Sequence, residues 1–350
     1  MIFGLVIFLL YLQFFIGFGD IFSAVQGVDV GEFFLFYFLS MGALLAVIGL
    51  WVLSWKSLLD SLSVRVSFRN AFMYYWIGYF VDLLVPLQSV GGEVMRLYLV
   101  RRKTREDYGS IAASGVANRM VAYGIVVTGL SMAMVYLLTV STVPAFALNL
   151  LLLTWAGALV FLGILLYLAF AERAVEKLAS AFVKTTHFLR LRRNRAGLSP
   201  KTLESLGFFQ QGFKFLRANP RHIVKPFFLQ MVAFVLNIAV YVFVFYALGF
   251  SRLPIDFFIV VYLLTGAIQD VAGVFSVGFL DILLTSIFMF YGIPPAESGV
   301  ATAVLRSVVF WFPLTVGYLS ARHVSVKGLA EVQPSETVPG KDGTPTAEKD

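Results

Sequence analysis

The chain has 350 residues, of which 59% are hydrophobic, 16% aromatic and only 13% charged. A soluble domain is nearer a quarter charged, so this composition excludes an ordinary soluble protein and predicts an all-α polytopic membrane protein. The formal net charge of +7 falls on loops beside apolar segments, which points to the bilayer and its anionic headgroups and excludes nucleic acid as a partner.

Six apolar segments are long enough to cross a bilayer, which takes about 20 residues of helix. We expect full transmembrane helices at about 1–18, 33–55, 110–138, 146–170, 226–248 and 300–321. The first begins at Met1 without a basic leader or a small-residue cleavage site, so we interpret it as a retained span and not a signal peptide. Basic residues at Lys56, Arg65 and Arg69 follow the second span, and the positive-inside rule places this loop and both chain termini in the cytoplasm.

Two further apolar segments begin and end on the same side, which predicts re-entrant helical hairpins. The first contains DLLVPLQSVGGEVMR at 82–96, where a proline and two glycines interrupt the helical pattern, and it has basic residues at both ends. A helix in lipid pairs its backbone groups internally, so such a break is tolerated only inside the protein or beside a polar cavity. The second runs from Phe257 to Tyr291, is interrupted by Gly273 and Gly278, and is expected to enter from the outside.

The charged residues of the two hairpins recur at matching spacings. The matching residues are Asp82, Glu93 and Arg119 in the first unit and Asp270, Asp281 and Arg306 in the second. The two carboxylates are eleven residues apart in both units, and the arginine follows after 26 residues in the first and 25 in the second. Because the units enter from opposite sides, we expect an inverted repeat of about 32–140 and about 226–322, an arrangement typical of secondary transporters.

These repeats define the expected domain organisation. We expect one membrane domain at 1–327, with a cytoplasmic amphipathic insert at about 171–225 and a disordered tail at 328–350. The insert holds two amphipathic stretches, one around Val175–Leu189 and one around Leu203–Leu216, with apolar residues at helical spacing. Two interpretations are open for them: helices in the membrane interface, or helices packed against the rest of the protein.

The mid-membrane charges form the candidate site. An arginine alone at that depth costs about 2.5–3.5 kcal/mol on insertion scales, so Arg119 and Arg306 each need a partner. They either form structural ion pairs with carboxylates of their own unit or bind an anionic headgroup, because a guanidinium fork fits phosphate and helix N-termini freed at the glycines add backbone donors. The candidate substrate-binding residues are Asp82, Gly91, Gly92, Glu93, Arg96, Asn118, Arg119, Asp270, Gly278, Asp281 and Arg306.

Two stretches carry a resemblance to a known family. VPLQSVGGEVMRLYLVRRKT followed by SGVANRMVAYGIVV resembles the lysylphosphatidylglycerol synthase/flippase-like integral membrane domain family, in which a small-residue turn precedes Gly-Glu-x-x-Arg and a basic end. GVFSVGFLDILLTSIFMFYGIPPAES is similar to the second family signature, although Ser276 and Val277 stand where proline and glycine are usual and Asp281 where glutamate is usual. Asn118 likewise replaces the common glutamate before Arg119.

The resemblance covers the chain up to about Lys327 and implies the flippase part of the family without a synthase domain. It implies transbilayer movement of a charged lipid, such as an aminoacylated phospholipid or a polyprenyl-phosphate-linked sugar. The expected location is the cell membrane, with several passes, and the expected partners are the bilayer and a membrane lipid. A homo-oligomer and a separate lipid-modifying enzyme are left open as partners.

Two other functions fit the residues. A polyprenyl-phosphate-dependent glycosyltransferase could use Asp20, Asp29 and Glu32, which otherwise form an ordinary solvated linker. An ion-coupled transporter of a small solute could use the mid-membrane carboxylates. The chain has no cysteine and no phosphate-loop or nucleophile-elbow motif, so we predict no catalytic residue, no metal and no cofactor, and expect transport instead of catalysis.

Overall fold

The computed structural model describes residues 6, 9–84, 90–140, 145–170, 200–272 and 277–330. Within these ranges the regular secondary structure is helical, as the composition predicts, and no strand is formed. We number the α-helices α1 (Phe18–Gln26), α2 (Val30–Ser61), α3 (Phe68–Leu84), α4 (Val90–Thr104), α5 (Tyr108–Val140), α6 (Ala145–Phe170), α7 (Pro200–Ala218), α8 (Arg221–Ala247), α9 (Ile255–Ala272), α10 (Phe279–Phe290), α11 (Pro295–Arg306) and α12 (Phe312–Ala330).

Four helical stretches of the described chain are long and apolar enough to cross a bilayer. They are Val30–Ser61, Tyr108–Tyr136, Arg221–Ala247 and Pro295–Val324, and they correspond to four of the six expected spans. The last of them is continuous because a π-helical segment, Ser307–Trp311, joins α11 to α12. Helix α6 coincides with the expected fourth span, and its apolar stretch Leu151–Tyr167 is shorter. The protein is therefore a multi-pass helical membrane protein.

In the N-terminal region the expected span at 1–18 ends close to its predicted end, and the expected linker after it is partly helical. A π-helical segment, Leu12–Ile16, ends at Gly17, whose φ of 89° lies in the left-handed region that favours glycine. Helix α1 then occupies part of what the sequence predicted as a linker. Residues 1–5, 7 and 8 of the expected span lie outside the described residues. The glycine is the physical reason for the break, because it allows the chain to change direction there.

Helices α2 and α8 form the central pair of the bundle and run antiparallel along their lengths. At one end the Phe36 and Tyr246 rings have centroids 5.6 Å apart, and at the other the Ser61 hydroxyl lies 3.0 Å from Nδ1 of His222. Between them Ser40 Oγ donates to the Val240 carbonyl at 3.1 Å. Apolar side chains of both helices are fully buried in this contact and form part of the core. This pair supplies the frame on which the other helices pack.

Helices α3 and α4 pack closely against each other, and α12 packs on the outside of α3. A Cβ atom on Gly92 would overlap the Gly78 carbonyl and the Asp82 carboxylate, so only glycine permits this approach. A Cβ atom on Gly317 would likewise overlap Phe80. Residues 85–89, which include the expected break at Pro86, lie outside the described part of the chain. The glycines thus set the distance between helices that carry the site.

Helix α7 decides between the two interpretations of the second amphipathic stretch. Its Phe213 and Leu216 are buried against Leu58 at the end of α2 and against Ala113 and Ala117 of α5. The stretch therefore packs on the bundle. The other amphipathic stretch falls within 171–199, outside the described residues. At the C-terminus α12 continues to Ala330, slightly past the expected domain boundary, and the rest of the expected tail is not described.

Candidate functional site

A cavity of about 280 Å³ lies among helices α2, α3, α4, α5, α8 and α9. Its polar and aromatic lining consists of Trp51, Tyr75, Tyr79, Asp82, Glu93, Arg96, Asn118, Arg119, Tyr123, Gln230, Phe234, Asn237, Tyr241 and Tyr262. Five of the predicted site residues are in this lining, and all five belong to the first unit. Most of the remaining surface is apolar, which is typical of a ligand pocket with a few placed polar groups.

Two carboxylates and two guanidinium groups form a connected network in this cavity. Arg96 on α4 contacts Asp82 on α3, with Nη2 3.1 Å from Oδ2, and it contacts Glu93 one turn away, with Nη1 2.8 Å from Oε1. Arg119 on α5 donates from Nε to the same Glu93 Oε1 at 3.1 Å. The Arg96 guanidinium also lies 4.2 Å from the centroid of the Tyr75 ring, a cation–π contact. The four charges sum to zero.

The network has a buried side and a side that faces the cavity. The side chains of Asp82 and Arg96 are 9% and 7% exposed, whereas those of Glu93 and Arg119 are 19% and 16% exposed. Because Asp82 and Arg96 pair with each other, neither buried charge is left without a partner in the bundle interior. A ligand in the cavity would therefore meet Glu93 and Arg119 first.

Asn118 joins three helices through hydrogen bonds. Its Oδ1 accepts from Ser54 Oγ on α2 at 2.7 Å and from Gln230 Nε2 on α8 at 3.2 Å. All three side chains are buried. This arrangement gives Asn118 a structural role beside its place in the cavity lining, because it satisfies polar groups that would otherwise be unpaired in the bundle.

The second unit places its charges in a different environment. Arg306 Nε lies 2.7 Å from Asp281 Oδ1, at ion-pair distance but outside hydrogen-bond geometry, and both side chains are almost fully buried. Within the described residues, neither Nη1 nor Nη2 of Arg306 has a hydrogen-bond partner. The guanidinium lies 4.4 Å from the centroid of the Phe310 ring, inside the π-helical segment. Neither charged residue lines the 280 Å³ cavity.

Two of the three predicted glycine donors, the amides of Gly92 and Gly278, already donate to carboxylates within the protein. The Gly92 amide donates to Asp82 Oδ1 at 2.8 Å, and the Gly278 amide, at φ 90°, donates to Asp281 Oδ2 at 2.8 Å. The physical reason is that each carboxylate lies at a helix N-terminus, where it accepts from a backbone group that lacks an intrahelical partner. Gly91 lies in the first turn of α4.

Asp270 cannot be placed in either group of charges. It belongs to α9, but its side chain lies outside the described part of the structure. A pairing of Asp270 with Arg306 therefore stays a prediction.

Several cavity residues were missed by the sequence reasoning. Gln230, Phe234, Asn237 and Tyr241 line the cavity from α8 at spacings of four, three and four, which is one face of a helix. Two amide side chains within a transmembrane segment, seven residues apart, were the available signal. The tyrosines gave no comparable signal, because the aromatic residues of membrane proteins are also expected at both interfaces.

Comparison with known proteins gives the chain a family. A family model described as the lysylphosphatidylglycerol synthase TM region matches residues 1–317. The chain belongs to this family. The resemblance found in the two signature stretches is thereby confirmed.

Relatives in this family are membrane proteins of similar length. A UPF0104 membrane protein of Methanothermobacter thermautotrophicus is 25% identical over 330 residues, covering 91% of this chain and 90% of the relative. UPF0104 membrane proteins of Pyrococcus horikoshii and Methanocaldococcus jannaschii are 21% and 23% identical, over 77% and 76% of this chain and 81% and 78% of their own lengths. No solved structure matches the chain significantly.

Proposed function

We propose that this protein moves a lipid with an anionic or zwitterionic headgroup between the leaflets of the membrane. The observation that carries the proposal is the cavity among membrane-spanning helices, lined by two carboxylates and two guanidinium groups. Ionisable residues at such positions in membrane proteins usually mark a substrate or ion pathway. Family membership is consistent with a lipid-related role.

The charge network offers chemistry for both ends of a polar headgroup. A phosphate on the headgroup would compete with Glu93 for Arg119, because a guanidinium binds phosphate through paired hydrogen bonds. A displaced Glu93 would still be held by Arg96, which contacts the same oxygen. An ammonium group on the ligand would be attracted to the carboxylates and to the faces of the cavity tyrosines. The network would thus exchange one ion pair for another without leaving a charge unpaired.

The helix lengths support re-entrant hairpins as the architecture of the site. Helices α3 and α4 have 17 and 15 residues, or about 25 and 22 Å, against a hydrocarbon core of about 30 Å. Helix α10, with 12 residues, is about 18 Å long. These helices are shorter than the hydrocarbon core is thick, as expected for hairpins that enter the membrane and return to the same side.

The packing supports the inverted repeat. In the proposed repeat, α2 and α8 are equivalent first helices, and their antiparallel pairing is what a two-fold axis in the membrane plane requires. Arg119 and Arg306 each present Nε to an acidic residue on the second helix of the proposed hairpin of the same unit. The second unit would then hold a counterpart of the first site in a closed form.

The transferase alternative gains no support from its acidic residues. The Asp29 side chain accepts a hydrogen bond from the Glu32 amide at 2.8 Å and forms the N-cap of α2. A capping residue of this kind stabilises a helix, and its carboxylate needs no catalytic role. We therefore propose transport instead of catalysis.

Translocation in proteoliposomes tests the proposal. A dithionite assay with lipids that carry a fluorophore on an anionic headgroup measures how fast the outer leaflet is replenished. We expect Arg119→Ala to slow translocation by about tenfold or more, because loss of one charge-assisted hydrogen bond costs about 1.5–3 kcal/mol. Arg252→Ala, which removes an exposed arginine between α8 and α9, is the matched control and should retain the parent rate.

Three outcomes decide the matter. Folded Arg119→Ala protein that translocates lipid at the parent rate would contradict the role of the cavity. Transfer of sugar from a lipid-linked donor, abolished by Asp29→Asn, would favour the transferase. Uptake of a soluble solute without lipid movement would favour the ion-coupled transporter.

A further inference from the structure

A second polar depression, separate from the charged cavity, lies where α4 ends and α5 begins. It has a volume of about 460 Å³ and is lined by Tyr98, Arg101, Arg102, Arg105 and Tyr108. Tyr98, Arg101 and Arg102 fall at spacings of three and one, so they share one face of the last two turns of α4, and Arg105 directly follows the helix. The three arginines therefore converge on one place.

The depression is held in shape by contacts of its own. Arg101 Nη1 donates to the Glu106 carbonyl at 3.0 Å, and its guanidinium lies 4.2 Å from the centroid of the Tyr108 ring. The Arg105 amide donates to the Arg101 carbonyl at 2.8 Å and closes the last turn of α4. These bonds fix the junction and leave Arg102 and Arg105 exposed beside it.

Arg105 adopts a backbone conformation that usually falls to glycine. Its φ is 62°, in the left-handed region, and it follows the last residue of a helix. After α8 and α10 the residues at positive φ are the glycines Gly249 and Gly292. Among the described residues, only Ser63 and Arg105 have a positive φ without being glycine. An arginine at such a position indicates that its side chain is needed there.

Two acidic residues, Glu106 and Asp107, follow Arg105 in the chain but do not line the depression. None of Arg101, Arg102 and Arg105 forms an ion pair in the part of the chain that the structure describes. The residues that line the depression thus carry three positive charges and no negative one, whereas the four charges of the cavity network sum to zero. Guanidinium groups near a helix C-terminus are stabilised by the helix dipole. That stabilisation alone does not explain why three arginines surround one depression together with two tyrosines.

An exposed apolar strip leads from the depression along the outer face of α4, towards the N-terminal end of that helix. Val94 and Tyr98 are 59% and 49% exposed, and with Arg102 they lie four residues apart on one face. From Val94 to Arg102 the helix rises about 12 Å, which is long enough for the first part of an acyl chain to lie against it. A basic site that adjoins an exposed apolar strip fits a lipid better than a soluble phosphate.

We propose that this depression binds the phosphate of an anionic lipid, with its headgroup on Arg102 and Arg105 and its chains along Val94 and Tyr98. The preferred headgroup carries more than one negative charge, as a phosphomonoester does. This site differs from the cavity in position and in charge, and its occupancy does not depend on lipid translocation.

Lipid binding by the purified full-length protein tests this site. Native mass spectrometry compares retention of phosphatidic acid with that of phosphatidylcholine of the same acyl chains. We expect the parent to retain phosphatidic acid about fivefold or more over phosphatidylcholine, and Arg102→Gln/Arg105→Asn to reduce this ratio to about one. Asparagine is chosen at 105 because it tolerates the left-handed conformation.

A double variant elsewhere controls for net charge. Arg65→Gln/Arg69→Gln removes two exposed arginines, one in the α2–α3 connection and one in the first turn of α3, at the same end of the molecule, and should keep the parent ratio. An unchanged ratio in Arg102→Gln/Arg105→Asn would overturn the proposal, and so would an equal loss in both double variants. If the double variant does not fold, Arg102→Gln alone serves, because Arg102 is exposed and an unchanged ratio there is equally decisive.

The source of the phosphate is distinguished by competition. Inorganic phosphate at millimolar concentration should leave bound phosphatidic acid in place, because it lacks the acyl chains that contact the strip. Complete displacement would overturn the lipid assignment and indicate a site for soluble phosphate. Because binding is measured without translocation, failure here leaves the proposed function standing, and failure of that function leaves this site standing.

Discussion

Glu93 holds two arginines through a single carboxylate oxygen. Arg96 and Arg119 approach Oε1 from α4 and α5, at 2.8 and 3.1 Å. Its other oxygen lies near Gly115, where an added Cβ would come within 3.2 Å. One acidic residue therefore connects two helices and balances charges that could not stay unpaired at membrane depth.

The Arg306–Asp281 pair should be strongly coupled in stability. Asp281→Asn keeps an acceptor for the Gly278 amide but removes the charge opposite Arg306, so we expect a loss of about 3–5 kcal/mol in unfolding free energy. Arg306→Gln in the same protein removes the charge left behind, and the double variant should lose less than the sum of the two single changes. Denaturant unfolding in detergent micelles, followed by tryptophan fluorescence, measures all three. Additive losses would show that the two residues do not depend on each other.

The sequence predicted the contacts of buried charged residues, which need a partner of opposite charge, but it did not predict the other residues of the cavity. A buried arginine needs a carboxylate, and both expected arginines have one from their own unit. The contact between Arg96 and Asp82 depends on how α3 and α4 pack together, which no sequence spacing specifies. The place of Tyr75 and Tyr241 in the cavity lining likewise depends on how the helices pack.

At the level of helices, the two glycines of the first hairpin have a role that differs from the expected one. The sequence predicted that Gly91 and Gly92 lie in the break, but both belong to the first turn of α4. Gly92 is required because its backbone packs against Gly78. A glycine in a sequence marks either a turn or a close approach, and only the packing distinguishes them.

Gly92→Ala should separate α3 from α4. The new methyl group would overlap the Asp82 carboxylate and the Gly78 carbonyl, and such overpacking costs about 1–3 kcal/mol. We expect a lower melting temperature by circular dichroism in detergent and a loss of translocation. Gly163→Ala is the control, because no atom lies within 4 Å of the added Cβ and alanine favours a helix. A Gly92→Ala protein that melts with the parent would show that the hairpin can widen without cost.

At the scale of the whole molecule, the antiparallel packing of α2 and α8 determines which helix ends lie on the same side of the bundle. Ser61 and His222 meet at one end, and Phe36 and Tyr246 meet at the other. Hydropathy predicted the long spans because the thickness of the bilayer sets their length, and the basic residues predicted which loops lie in the cytoplasm. The break at Gly17 falls at the expected end of the first span, but the helix that follows it, α1, was not predicted, because its acidic residue and glycines indicated a linker.

The side of the membrane on which each loop lies can be read from introduced thiols. The natural chain has no cysteine, so one substitution gives a protein with a single reactive site. Arg65, Glu106 and Ser251 are exposed residues in the α2–α3, α4–α5 and α8–α9 connections. In intact cells a membrane-impermeant maleimide should label Ser251→Cys, whereas Arg65→Cys and Glu106→Cys should react only after permeabilisation.

The comparison of Arg65→Cys with Glu106→Cys is the decisive one for the architecture. These two positions flank α3 and α4, so a re-entrant hairpin requires that both lie on one side. Labelling from opposite sides would mean that the α3–α4 segment crosses the bilayer, and α2 and α8 could then no longer be equivalent helices of inverted units. Labelling of both from the outside, with Ser251→Cys protected, would keep the hairpin and reverse the orientation. In that case the arginines at the end of α4 would face the outer leaflet, and any lipid they bind would have to come from there.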